Sequence, residues 1–258
     1  MTMRPLCGVG AAVCLALALR EAPPSLAALR ELAAALVRPA VLPFAFAGLD
    51  AAQRAGDDAE WFARARQITD LLPGWSDGHA VFAYRLALDA RPAAGADPGA
   101  DALRRLQTAL AWLDGARATA GPREVDLLLM TAFLPEVAAL QQPALAERLR
   151  AGGGAAALTD RYLAEAERLR GSAAIREQRT FLAPKLAAGL LGAGDRAEAR
   201  AVLAAAVERA ASVRDQALAT EWQQRLAEVL RWLDGDRTVD LTAVHGDPRF
   251  APLLPYLR

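Results

Sequence analysis

The sequence predicts an all-α protein built of antiparallel helical hairpins, and two observations favour that prediction. Among the 258 residues, 63 are alanine, against 13 valines, 10 threonines and 2 isoleucines. Alanine is the strongest helix former, whereas β-branched residues favour strands. Apolar residues also recur at spacings of three and four along most of the chain, and no segment shows the sustained alternation typical of a strand.

The chain begins with an apolar segment. Residues 6–19 are 14 consecutive apolar residues between Arg4 and Arg20. A helix of that length spans about 21 Å, short of the roughly 30 Å hydrocarbon core of a bilayer. Three interpretations remain open: a signal peptide cleaved near Ala18, a membrane anchor over residues 5–20, or a buried helix. The first two place the rest of the chain in the periplasm or on the periplasmic side of a bacterial inner membrane.

Charge and cysteine usage exclude several functional classes. Thirty basic residues balance 30 acidic ones, so no basic face is available for general nucleic-acid binding. Both cysteines, Cys7 and Cys14, lie inside the apolar segment, where a helix would hold them about 10 Å apart, too far for a disulfide. Neither His79 nor His245 has a second ligand at metal-binding spacing. We therefore expect no metal, no cofactor and no nucleic-acid partner.

Capping and breaking residues divide residues 25–258 into successive helices, which we expect to form one domain after an N-terminal segment of residues 1–24. Residues 91–100 form the clearest loop and a possible boundary within the domain. Pro39 is expected to end the first helix, and Pro135 to interrupt a later one. The predicted helix starts are Ser25, Pro43, Asp57, Ser76, Asp97, Pro122, Thr159, Ser172, Asp195 and Asp215.

Two stretches resemble the tetratricopeptide repeat, a helical hairpin of 34 residues. In residues 180–212, large and small apolar side chains flank a Gly-Asp turn at the offsets of that family; they are Leu186, Ala187, Leu190, Gly194, Asp195, Ala199, Leu203 and Ala206. Residues 42–90 have a similar pattern, although Trp61 stands where the family has alanine. Residues 247–254 also resemble an ending common in proteins with these repeats, which predicts that Phe250 and Leu253 cover the last hairpin.

The resemblance implies a short α-solenoid that binds a protein or peptide partner and acts as a scaffold, without catalysis. In the family, first-helix residues line the concave surface, which makes five residues candidate partner contacts: Asp50, Gln53, Arg54, Asp77 and Tyr84. Trp75, in a predicted turn, is a candidate aromatic anchor. The alternative is an enzyme or small-ligand binder with a pocket between helices, which would require a buried carboxylate pair or an arginine cluster in the folded chain.

Overall fold

In the computed structural model, residues 26–88, 95 and 97–258 are described, and all of their regular structure is helical. The all-α prediction is confirmed for these residues. The expectations for residues 1–24, and for most of the loop at 91–100, lie outside them. The α-helices are α1 Leu26–Ala55, α2 Asp58–Leu71, α3 Ser76–Leu88, α4 Pro98–Ala120, α5 Glu124–Gln141, α6 Pro143–Leu149, α7 Gly154–Leu169, α8 Ala173–Gly192, α9 Arg196–Ala210, α10 Gln216–Leu233 and α11 Thr242–His245. Short 3₁₀ helices occur at Gly121–Arg123, Arg150–Gly152 and Pro248–Tyr256.

The chain divides into two compact units, Met1–Leu72 and Pro73–Arg258. In the first unit, α1 and α2 pack against each other as a hairpin. Gly56 supplies the positive φ of 69° that the turn requires, and the Asp57 carboxylate caps α2 by accepting a hydrogen bond from the backbone N–H of Glu60 at 3.0 Å. Asp57 begins this helix, as the sequence predicted.

The expected break at Pro39 and restart at Pro43 are wrong. Both prolines lie inside α1, which continues to Ala55. Each proline removes one backbone donor, but its neighbours are strong helix formers, and the helix buries Leu49 in the first unit. Within the part of the chain that the structure describes, no helix combines the length and apolarity that a membrane span requires.

In the second unit, α5 occupies the centre of the first core and contacts α3, α4, α6 and α7. Its Leu127, Leu128 and Leu134 have no solvent exposure. Pro135 lies inside this helix and does not interrupt it, because burial of Leu134 before it and of Ala138 after it outweighs one lost backbone hydrogen bond. Helix α7 begins five residues before the predicted start at Thr159, whose hydroxyl instead donates to the Ala132 carbonyl at 2.7 Å and ties α7 to α5.

A second core joins α8, α9 and α10. Helices α8 and α9 form a hairpin around Gly194, which has φ of 85°, and the Asp195 carboxylate caps α9. Small residues at the seam, Ala187 and Ala199 among them, are fully buried and allow the two helices to approach closely. Helix α10 packs on the other side of α9.

The C-terminal 3₁₀ helix closes this second core. It packs on α8, and its Phe250 and Leu253 have no solvent exposure, as predicted. The Phe250 ring contacts the Trp222 ring of α10 at a centroid distance of 5.1 Å. The Asp247 carboxylate caps the 3₁₀ helix by accepting the Arg249 backbone N–H at 2.9 Å.

Candidate functional site

The three predicted contact residues of the first unit lie near the end of α1. Asp50, Gln53 and Arg54 are all solvent-exposed. The Arg54 side chain donates to the backbone carbonyl of Asp50 at 3.2 Å, which is a contact within the helix. These positions are accessible to a partner, but no cavity or converging set of groups surrounds them among the described residues.

The predicted contacts of the second unit take part in packing. The Trp75 ring lies edge-on to the Phe82 ring, at a centroid distance of 6.0 Å. Asp77 forms a two-pronged ion pair with Arg123, with distances of 2.8 and 3.1 Å.

Tyr84 is also engaged within the second unit. Its hydroxyl donates to the Met130 carbonyl of α5 at 2.7 Å, and burial raises its pKa to about 12. Asp77 therefore holds α3 against the 3₁₀ helix that precedes α5, and Tyr84 holds it against the middle of α5.

A candidate site is an open groove of about 500 Å³ on the second unit, where the end of α7, the start of α8 and the end of α9 meet. Four arginines dominate its lining, and we call it the arginine groove. The lining residues are Ala164, Glu167, Arg168, Gly171, Arg176, Arg179 and Arg209. None of them was predicted as a site residue from the sequence.

The Arg179 side chain is held in place by two carboxylates of the groove region. Its guanidinium donates two hydrogen bonds to Asp160, at 2.8 and 3.0 Å, and a third to Glu167 at 2.8 Å. Burial alone would lower the pKa of Arg179, but the hydrogen bonds from these two carboxylates outweigh it and the pKa is raised. Because a forked guanidinium–carboxylate pair is geometrically specific, Arg179 and both acids are held in one arrangement.

Arg209 differs from the half-buried Arg105, Arg117, Arg179 and Arg225 of this unit. No carboxylate in the described chain lies within ion-pair distance of it, and its Nε is buried without a hydrogen-bond partner. Burial and then the nearby positive charge of Arg179 lower the pKa of Arg209. In contrast, the half-buried Arg105, Arg117 and Arg225 each contact a carboxylate.

Arg176 is the second guanidinium without a carboxylate partner in the described chain. It reaches only the Gly171 carbonyl, at 3.5 Å, near the long limit for a hydrogen bond. It stands in the first turn of α8, whose N-cap residue Ser172 makes no side-chain capping bond. The positive end of the helix dipole and the Arg176 side chain therefore face the same end of the groove.

Acids contact only two of these four cations. Glu167 and Asp160 both bind Arg179, while Arg168 is mostly exposed and lies 3.7 Å from Glu165. Two guanidiniums, those of Arg176 and Arg209, are left without a carboxylate contact among the described residues. Guanidiniums at neutral pH only donate hydrogen bonds, so these two offer donors that suit a negatively charged group.

A smaller cavity of about 270 Å³ offers less to a ligand. Two arginines line it, but the Arg237 guanidinium already stacks on the Trp232 ring at 4.3 Å and Arg196 donates to the Leu233 carbonyl. Across the described residues, no group of three histidine, cysteine or acidic side chains is placed to hold a metal ion.

Sequence reasoning missed the arginine groove because its residues come from three helices. Arg176 and Arg179 are three residues apart and share a helix face, which is the only local signal. Arg209 follows 30 residues later, in a chain where 29 arginines are spread throughout. An unpaired guanidinium can be recognised only when its surroundings are known.

Comparisons with known proteins give no further assignment. No protein-family model, no curated protein and no solved structure matches this chain.

Proposed function

We propose that this protein is a helical interaction module, a scaffold that holds an acidic segment of a partner protein in the arginine groove. The single observation that carries the proposal is the pair Arg176 and Arg209. Both guanidiniums face an open groove without a carboxylate partner in the described chain, and Arg209 is half-buried. Desolvating a cation without pairing it is costly, and an incoming carboxylate would remove that cost.

The architecture supports an interaction role of the tetratricopeptide type. The hairpin of α8 and α9, with its Gly-Asp turn and buried alanines, has the features that led to the resemblance. Helix α10 adds a third layer, and the Phe181 ring of α8 reaches the Trp222 ring of α10 at 4.8 Å. Stacked hairpins of this kind leave helix faces and inter-helix grooves exposed to partners.

The dimensions of the groove suit a polypeptide segment. About 500 Å³ accommodates several side chains, and the lining offers cations but no apolar pocket that would enclose a small molecule. Asp50, Gln53, Arg54, Trp75, Asp77 and Tyr84 remain proposed secondary contacts. We propose no catalytic step, since the groove holds no acid–base pair.

The proposal also includes a location. The apolar residues 6–19 support export of the chain, which then stays tethered to the inner membrane through residues 5–20, or is released after cleavage near Ala18. The acidic partner would then be another protein of the periplasm or of that membrane.

A small-anion binder is the second candidate function, because the same two guanidiniums would also accept a free phosphate or dicarboxylate. An acidic peptide and a small anion differ in the number of arginines that they can contact. An acidic peptide is long enough to contact Arg168 as well as Arg176 and Arg209, whereas a small anion contacts only Arg176 and Arg209.

The test is a fluorescence-anisotropy titration of a labelled hexaglutamate peptide against the full chain, repeated with inorganic phosphate as competitor. We expect the double variant Arg176→Glu and Arg209→Glu to weaken peptide binding at least about tenfold, because each lost charge-assisted hydrogen bond is worth roughly 1.5–3 kcal/mol. The matched control is the double variant Arg214→Glu and Arg258→Glu, since both arginines are exposed, the charge change is the same and neither residue lines the groove.

Three outcomes separate the possibilities. Weaker peptide binding in the variant with Arg176→Glu and Arg209→Glu, but not in the control, supports the proposal. Crosslinking of the native complex should then place a partner's acidic segment at the groove. Equal loss in the control would show that only net charge matters and would overturn it. Tight binding of phosphate with no binding of the peptide would favour the small-anion function.

A further inference from the structure

A second surface, on the first unit, lies in the middle of α1. Residues 39–47 are nine consecutive uncharged and apolar residues within this helix. Phe44 is 79% exposed, the largest exposed fraction of any aromatic side chain described, and Val41 is 39% exposed. A contiguous patch of exposed apolar side chains, unlike a single one, marks a surface that meets something other than water.

Helix α2 leaves this part of α1 uncovered. The buried side chains of α1 among those described are Ala45, Leu49 and Ala52, all in its second half. They lie on one face, which faces α2. Residues 39–44, in contrast, present apolar side chains in all directions around the helix axis, with proline, alanine and phenylalanine all exposed.

A helix that is apolar all round is typical of burial in a protein core or in lipid, whereas a helix that docks on a protein needs only one apolar face. The sequence around residues 39–47 favours contact with lipid over burial in a protein core. Arg38 is the single charged residue between Glu31 and Asp50. The 14 apolar residues at 6–19, which the location proposed above puts at the membrane, precede this helix in the sequence.

We propose that residues 39–47 form an interfacial membrane contact, in which the exposed apolar side chains of α1 enter the boundary between lipid headgroups and acyl chains. The inference rests on the membrane location in the proposed function and is independent of the arginine groove. Nine helical residues cover about 14 Å, too short to cross a bilayer but long enough to lie within its surface.

The experiment measures the depth of single positions of the full chain in vesicles. The environment-sensitive dye NBD is attached to Phe44→Cys in a chain that also carries Cys7→Ala and Cys14→Ala, so that the dye occupies one site. Leu140→Cys is the matched control, because Leu140 is 84% exposed but belongs to the second unit. The vesicles consist of phosphatidylethanolamine and phosphatidylglycerol, with spin-labelled lipid as quencher.

We expect the dye at position 44 to shift its emission to the blue and to be quenched by the labelled lipid, while the dye at position 140 keeps its emission in water. If the chain sediments with the vesicles while position 44 stays water-like, residues 39–47 do not touch lipid and the inference is wrong, although the membrane location survives. Absence of the chain from the vesicle pellet would overturn both. Equal shifts at the two positions would also contradict the inference, since they would indicate unspecific adsorption.

Discussion

The Asp247 carboxylate is the most heavily used acid in the C-terminal region, and removing it should destabilise the second unit measurably. Its side chain is only 3% exposed. It accepts the backbone N–H of Arg249 at 2.9 Å and the Arg249 guanidinium at 2.6 to 3.0 Å, and it also accepts the Arg225 guanidinium. Through these bonds one carboxylate caps the last 3₁₀ helix and joins it to α10.

The expected loss follows from these contacts. A lost cap costs about 1 kcal/mol, and hydrogen bonds to charged groups contribute roughly 1.5–3 kcal/mol each. Glu221 continues to contact both arginines, at 2.7 and 3.1 Å, so neither cation becomes isolated. We therefore expect Asp247→Ala to lower the free energy of unfolding by about 3 kcal/mol in total, which corresponds to a Tm lower by roughly 6–12 °C for a unit of this size.

The assay is thermal unfolding followed by circular dichroism at 222 nm and neutral pH. Asp240→Ala is the control, because Asp240 makes the same local turn bonds, to the N–H and hydroxyl of Thr242, but is exposed and has no arginine partner in the described chain. Its effect should be much smaller. If Asp247→Ala and Asp240→Ala lower the Tm equally, the argument from burial and arginine pairing is refuted.

Three further predictions follow from other contacts. The hydrogen bonds from Arg249 hold the pKa of Asp247 below its usual range, so the stability that Asp247 contributes is complete above about pH 4 and is lost as the pH falls further. The difference in unfolding free energy between the wild type and Asp247→Asn should therefore shrink below that pH. A difference that stays constant with pH would contradict this prediction. Because Ala206 is fully buried in the seam between α8 and α9, Ala206→Leu should cost about 1–3 kcal/mol by overpacking, whereas the exposed Ala204→Leu in the same helix should be nearly neutral in urea unfolding. Burial raises the pKa of Tyr84 to about 12, so the contribution of Tyr84 to stability is complete below about pH 10 and is lost as the pH approaches 12. In an alkaline titration, the tyrosine absorbance change that the wild type shows and Tyr84→Phe lacks should therefore have its midpoint near pH 12. A midpoint near pH 10 would show that the Tyr84 side chain is solvated.

Local rules predicted much of the helical framework. Asp57, Asp97, Asp195 and Asp215 each cap a helix through a side-chain hydrogen bond, as their positions before periodic apolar runs indicated. Capping and turn chemistry act over two or three residues, so the sequence contains the whole interaction. The same holds for Gly194, where a turn that needs positive φ favours glycine.

The errors occurred at prolines and where long-range packing outweighs local preference. Pro39 and Pro135 were expected to end or interrupt a helix and Pro43 to begin one, yet all three lie inside helices. A proline costs a helix about 3 kcal/mol, and no local signal shows that burial of Leu134 and Ala138 offsets this cost at Pro135. Pro39 and Pro43, in contrast, lie in an exposed stretch of their helix. Thr159, read as a helix start, similarly acts as an interior link between two helices.

The sequence by itself determined the all-α class, most of the helix ends and the Gly-Asp hairpin, because propensity, capping and periodicity are properties of neighbouring residues. Only the tertiary structure decided which charges are satisfied. Asp247 and Arg179 acquire ion-pair partners, whereas Arg209 has no carboxylate partner among the residues that the structure describes, because ion pairing depends on which helix ends meet in space.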